Sequence, residues 1–172
     1  MIRFFLVVQL LCGVGQTSQA LGENAKPTRI TAYDQIPVAV QRLYQNDCYE
    51  GFVNLANWQK IIGQSGSEIP FGKRKKLYLL PCEWSANSVT SSLFLVDGKM
   101  VKELNFPYQD DVGAVVYLAG LVNSTYEGDG VFKVVDPNAC KKPGDRMADY
   151  AKLKGEKLFP FVPARGGLIC TD

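Results

Sequence analysis

The stretch from Leu77 to Pro107 does most to limit what this chain can fold into. It reads LYLLPC, a short polar turn, SVTSSLFLV, Asp97-Gly98 and then KMVKELNFP. Short apolar runs rich in strand formers, with Asp-Gly between the last two, favour a tight hairpin whose central positions need positive φ. The segment therefore predicts paired antiparallel strands. Downstream, GAVVYLAGLV (113–122) reads as another strand broken near Gly120. GVFKVVD (130–136) reads as a shorter one that follows the turn-forming Glu127-Gly128-Asp129-Gly130.

Helical spacing is confined to short pieces. Val38, Val40, Leu43 and Tyr44 recur on one helix face, Asp34 or Gln35 can cap, and Pro37 suits a first turn, which predicts a helix over 36–46. A weaker helical or irregular piece runs through Phe52, Leu55, Trp58 and Ile61-Ile62. DRMADYAKLK (145–154) reads as a second short helix, with Asp145 near its start and Gly155 as its stop. The Gly, Ser and Pro content of GQSGSEIPFGKRKK (63–76) predicts a loop. The expected class is α+β, an antiparallel β-sheet with one or two short helices packed on it.

The first twenty residues, MIRFFLVVQLLCGVGQTSQA, have one basic residue at Arg3, an apolar core and a small-residue ending. That is the plan of a secretory signal peptide cut after Ala20. The apolar run is about 12 residues, whereas a spanning helix needs about 20. We therefore expect residues 1–20 to be a leader, Cys12 to leave with it, and residues 21–172 to form a single domain with no stable membrane insertion after cleavage. The formal net charge is +2, of which one unit leaves with Arg3. So balanced a chain makes a poor generic partner for nucleic acid.

Four cysteines follow the leader: Cys48, Cys82, Cys140 and Cys170. None lies in a Cys-x-x-Cys pair, so an even set in an exported chain predicts two disulfides. Three pairings are open to four cysteines. We expect Cys48 with Cys82 and Cys140 with Cys170, each closing a loop of about 30 residues and each worth roughly 3 to 4 kcal/mol.

The chain contains no histidine. That removes the usual general base, the Ser-His and Cys-His nucleophile pairs and the commonest metal ligand. No Ser-x-x-Lys, phosphate-binding glycine loop or calcium-loop pattern takes their place. We expect neither metal nor cofactor. The acids Asp110, Asp111, Glu127 and Asp129 leave room for a carboxylate-dependent glycan hydrolase.

Candidate binding residues fall in two places. Lys73 and Arg74 open the dense charge run Lys73-Arg74-Lys75-Lys76, which suits an anionic lipid or acidic polysaccharide, or else a solvated sheet edge. Trp84 and Asn87 follow the Pro81-Cys82 corner, where Pro81 is expected to end the strand ladder; they suit either a turn or a ligand. The corner at 81–88 with the loop at 63–76 is the expected contact surface. Asn123-Ser124-Thr125 matches an N-glycosylation acceptor.

These elements also carry a family resemblance. Ile36-Pro37 and Leu43 ahead of Cys48, then LYLLPCEWSANS, LFLVDG, LNFP and LVNSTYEGDG, together resemble the exported bacterial proteins grouped as domain of unknown function 1176, over residues 36–135. The resemblance implies an exported, disulfide-bearing protein and supplies no catalytic residues. We expect a periplasmic or extracellular protein, a non-enzymatic binding or inhibitor module rather than an enzyme, with an envelope protein or a glycan as partner. The glycan hydrolase is the alternative.

Overall fold

The computed structural model describes residues 26–48, 66–84, 88–109, 114–136 and 147–161. In chain order these give strand β1 (Thr28–Arg29), helix α1 (Val38–Asp47), and strands β2 (Ser67–Phe71), β3 (Lys75–Trp84), β4 (Val89–Asp97) and β5 (Met100–Glu103). Then come β6 (Phe106–Gln109), β7 (Val115–Leu118), β8 (Leu121–Val122), β9 (Thr125–Gly128), β10 (Val131–Asp136), β11 (Met147–Lys154) and β12 (Lys157–Pro160). All strand pairings among the described residues are antiparallel. A six-stranded sheet runs β1-β2-β3-β4-β5 with β8 also on β4; a four-stranded sheet runs β12-β11-β10-β9; β6 and β7 form a ribbon.

The alternation of β3 explains the layering. Leu77 and Leu79 face the four-stranded sheet, where they join Leu93, Leu95, Phe132 and Leu153 in one core. Tyr78 and Leu80 face the other way and pack with Phe94, Val40 and Tyr44 beneath α1. Side chains alternate across a strand, so a run apolar at every position must be covered on both faces. Helix, sheet and second sheet supply that cover. The architecture is α+β in the broad sense and strongly strand-dominated. Among the described residues no helix is long and apolar enough to cross a membrane.

Cys48 and Cys82 are joined by a disulfide, with Cα atoms 5.1 Å apart and a sequence separation of 34. Pro81 pairs with Ser91 and Glu83 with Thr90, so Cys82 is the extra residue of a bulge. Pro81 therefore does not end the ladder as expected: β3 continues through it to Trp84. The β2 pairing has already stopped at Leu79, which leaves Pro81 on an edge portion of the strand, where a missing N–H is tolerated. The Tyr44 hydroxyl donates to the Pro81 carbonyl, and the Tyr44 ring meets Phe94 edge-on at 6.3 Å. The C-terminal end of α1 is thus fixed to β3 by a covalent bond and a hydrogen bond.

Several local expectations need correction. The helix expected over 145–154 is not formed by its described part: Met147–Lys154 is β11, with Ala151 and Leu153 buried and Lys154 exposed. A two-residue period with a ready partner at β10 outweighs helix propensity, and Gly155 opens the hairpin to β12 instead of ending a helix. Within the expected loop at 63–76, Ser67–Phe71 is β2, since Ile69 and Phe71 both reach the sheet-to-sheet core. The β4–β5 hairpin forms, but Asp97 pairs with Met100, so Gly98 and Lys99 are its central residues and only Gly98 (φ 60) is left-handed. Helix α1 has Pro37 as its N-cap with no side-chain bond, while the Gln35 amide oxygen accepts from the backbone N–H of Thr31 and of Ala32. The piece through Phe52 to Ile62 lies outside the described residues, as do Cys140 and Cys170.

Asn123 ties the two sheets together. Its Oδ1 accepts from the Val89 N–H on β4 and its Nδ2 donates to the Val135 carbonyl on β10. With φ 42, it occupies a backbone region where asparagine is among the better-tolerated residues. The glycosylation-like triplet is thus centred on a side chain already occupied at both ends.

Two outcomes test these fixings. Replacing both Cys48 and Cys82 by alanine should lower unfolding free energy by about 4 kcal/mol on the chain-entropy scale for a loop of this length. Urea unfolding against the parent chain reads this directly, and an unchanged midpoint would refute it. Asn123→Ala removes two partners from part-buried backbone groups and should cost about 1 to 3 kcal/mol, read the same way.

Candidate functional site

Strand register decides which hairpins meet. Phe71 pairs with Lys75 and Lys75 with Asp97, so the β2–β3 turn (Gly72–Arg74) and the β4–β5 turn (Gly98–Lys99) lie at the same end of the six-stranded sheet. The β11–β12 turn at Gly155 comes to this end from the other sheet. Between them is an open cleft of about 830 Å³. Phe71 and Leu153 contribute apolar lining, and Lys73, Arg74, Lys75, Lys152 and Lys154 contribute five cations against one carboxylate, Asp97.

Asp97 is already engaged, 3.1 Å from the Lys75 ammonium. Among the described residues, Lys73, Arg74, Lys152 and Lys154 have no carboxylate within ion-pair reach. Lys73 and Arg74 are exposed on their turn. The Lys154 ammonium lies 5.9 Å from the centre of the Phe159 ring, and that of Lys152 lies 5.6 Å from the Phe161 ring. Such stacking holds a lysine stem against an apolar surface and keeps its head at the solvent boundary. A volume of this size falls within the range of ligand-holding clefts, and the charged lining residues are mostly cationic.

Gly130 sets the apolar side of the cleft. A Cβ placed there would stand 3.0 Å from the Phe71 ring and 3.4 Å from Leu153 Cβ, and its φ is +73. The Leu153 N–H also donates to the Gly130 carbonyl at 2.8 Å. The β9–β10 turn thereby admits the Phe71 ring, which bridges from β2 to the second sheet.

Of the other expected residues, Trp84 is remote from this cleft and Asp129 adjoins it. Trp84 closes β3 opposite Val89, at the far end of the strand from Lys75 and about 30 Å away by strand rise. Asn87 lies outside the described residues, as do Asp110 and Asp111. Glu127 is exposed on β9, where it accepts from the Thr125 hydroxyl at 2.9 Å. Asp129 borders a small recess of about 30 Å³ beside Tyr126, which shares Phe71, Gly72, Lys152 and Leu153 with the cleft.

Glu68 carries a displaced titration. Burial pushes its pKa up, but bonds from Lys76 at 2.7 Å and from the Tyr78 hydroxyl at 2.7 Å outweigh that and hold the carboxyl below its ordinary value. The phenol of Tyr78 is raised in turn, by burial first and by the Glu68 carboxylate second. A general acid in glycoside hydrolysis needs the opposite displacement from that of Glu68. Among the described residues no group of three or more His, Cys, Asp or Glu could hold a metal ion.

Lys152, Lys154 and Phe71 escaped sequence reasoning because two strands were read as a helix and a loop. The alternation Tyr150-Ala151-Lys152-Leu153-Lys154 was the signal that could have found the lysines. Gly130→Ala, which meets both crowding and a left-handed backbone, should cost about 1 to 3 kcal/mol in urea unfolding. Phe71→Leu in the same background, by drawing back the crowded ring, should recover part of that loss. Absence of any loss would show that Phe71 does not sit against the turn.

No family model matches this chain, no curated protein is similar to it, and no solved structure matches it.

Proposed function

We propose that this protein is an exported, non-enzymatic binding module that uses the cleft between its hairpin turns to hold an anionic ligand. The observation that supports this reading is that Lys73 and Arg74 from one sheet and Lys152 and Lys154 from the other line the same cleft as Phe71 and Leu153. Like charges gathered along one cleft disfavour one another, and an anion there offsets that repulsion. Export is supported by the leader-like first twenty residues and by the Cys48–Cys82 bond, which belongs to an oxidising compartment. The resemblance over residues 36–135 to an exported bacterial family agrees with it.

The site also accounts for what the chain lacks. Holding an anion needs fixed positive charge and a shaped surface, and requires neither histidine nor a paired acid and base.

The test is isothermal titration of the full chain with three short anions, namely pyrophosphate, digalacturonate and a heparin disaccharide, at low and at raised salt. At least one should bind, with affinity falling as salt rises. Lys73→Glu with Arg74→Glu should weaken it by about tenfold or more, equivalent to about 1.4 kcal/mol, while the melting temperature stays close to that of the parent chain. Equal affinity in parent and variant, or no binding of any of the three, would overturn the reading.

A further inference from the structure

The outer face of the four-stranded sheet carries a second pattern. Phe132, Ala151, Leu153 and Leu158 are buried toward the six-stranded sheet. By strand alternation their neighbours Lys133, Tyr150, Lys152, Lys154 and Phe159 point outward. Phe159 is 39% exposed.

Aromatics and lysines interleave on this face. The Lys133 ammonium lies 6.0 Å from the Tyr150 ring centre, which places a third stacked pair beside Lys152 with Phe161 and Lys154 with Phe159. Lys157 is outward on β12, directly opposite Lys154. Against these four lysines the described outward strand side chains offer one carboxylate, Glu127, bonded to Thr125, while Glu156 and Asp129 stand in the adjoining turns.

The face and the cleft share residues. Lys152 and Lys154 belong to both, so positive charge continues from Lys73 and Arg74 across β11 to Lys133 on β10. Outward side chains on one strand recur about every 7 Å, which sets the pitch of the row. A row of cations at regular pitch fits a linear polyanion. Flat rings between them fit a polymer whose repeating unit has an apolar face, because aromatic faces gain from covering apolar surface.

From this geometry we infer that the outer face of the four-stranded sheet and the cleft form one track for a linear acidic polysaccharide, whose charged groups meet the lysines and whose sugar rings lie on Tyr150, Phe159 and Phe161. The inference rests on the anion-binding reading of the cleft and names its ligand class. Single-stranded nucleic acid shares the chemistry of charge and stacking. The chain's near balance of 19 basic and 17 acidic residues, and a disulfide that belongs outside the cytosol, favour the glycan.

The experiment measures fluorescence anisotropy of the full chain with labelled galacturonate and heparin oligomers, each as a disaccharide and a decasaccharide, beside a neutral decasaccharide and a ten-nucleotide oligothymidylate. The decasaccharide of at least one acidic series should bind about tenfold or more tighter than its disaccharide. Phe159→Ser and, separately, Lys133→Gln should remove most of that gain while leaving disaccharide affinity within about twofold. Should Phe159→Ser lower the melting temperature, the Lys133→Gln result decides. Disaccharide binding with no gain on lengthening would overturn the track and leave the cleft reading intact. A decasaccharide that depends on Lys133 and Phe159 but is indifferent to charge reversal at Lys73 and Arg74 would keep the outer-face site and remove the cleft. Oligothymidylate or neutral glycan binding as tightly as the acidic decasaccharides would overturn the ligand class.

Discussion

Burial of β3 and β4 on both faces is the constraint on which the rest depends. Leu77, Leu79, Leu93 and Leu95 need one cover; Tyr78, Leu80 and Phe94 need another. A large apolar side chain gains about 1.5 to 3 kcal/mol on full burial, so leaving either face open would forfeit several such gains at once. Among the described residues, elements before Lys75 and after Glu103 supply those covers. Residues 30–48 close the helix side through Ile30, Ile36, Val40 and Tyr44, and the sheet built from β9 to β12 closes the other through Phe132, Ala151, Leu153 and Leu158.

The cleft follows from how the two sheets meet at one end. Phe71 leaves the six-stranded sheet and lodges over Gly130 and Leu153, so the layers touch there, and the turns that extend past this contact have no apolar partner to cover them. A fold indifferent to this end would place mixed or small polar residues on such turns. Instead, lysines and an arginine converge from segments nearly eighty residues apart in sequence, in a chain whose overall charge is close to balanced. Their proximity is a product of tertiary structure, and like-charge crowding without compensation works against folding. That unfavourable term makes the cleft more informative than the same number of scattered surface lysines.

How much of this was legible in the chain differs by element. The helix at 36–46, the strands on either side of Asp97-Gly98, the break at Gly120 and the strand at 130–136 announce themselves by local period and turn chemistry. Ser67–Phe71 and Met147–Lys154 do not. In the first, Pro70 and the neighbouring glycines mask the alternation of Ile69 with Phe71; in the second, alanine, methionine and lysine have good helix propensity and only the pairing with β10 and β12 tips the balance. Half of the candidate site was therefore visible as the run at Lys73. Its other half was hidden by the mistaken helix. The Pro81 corner misled for a related reason: proline excludes a ladder N–H, but β2 has already ended beside it, so no ladder bond is lost on that side.

The covalent clamp and the charged end occupy opposite ends of the same strand. Cys82 lies near the Trp84 end of β3, whereas Lys75 begins it beside Lys73 and Arg74. Between them β3 is paired along its length with β4 and is buried on both faces, so a disturbance at the bulge has to pass through the most constrained part of the molecule to reach the cleft. Packed interiors resist small continuous displacements. The disulfide therefore acts on whether the layers stay assembled, through the end of α1 and the helix-side core. The shape of the cleft depends on the nearer contact of Phe71 with Gly130 and Leu153. Stability and recognition are set by different residues of one sheet, which allows the turns at the charged end to vary in sequence without loosening the core that holds them.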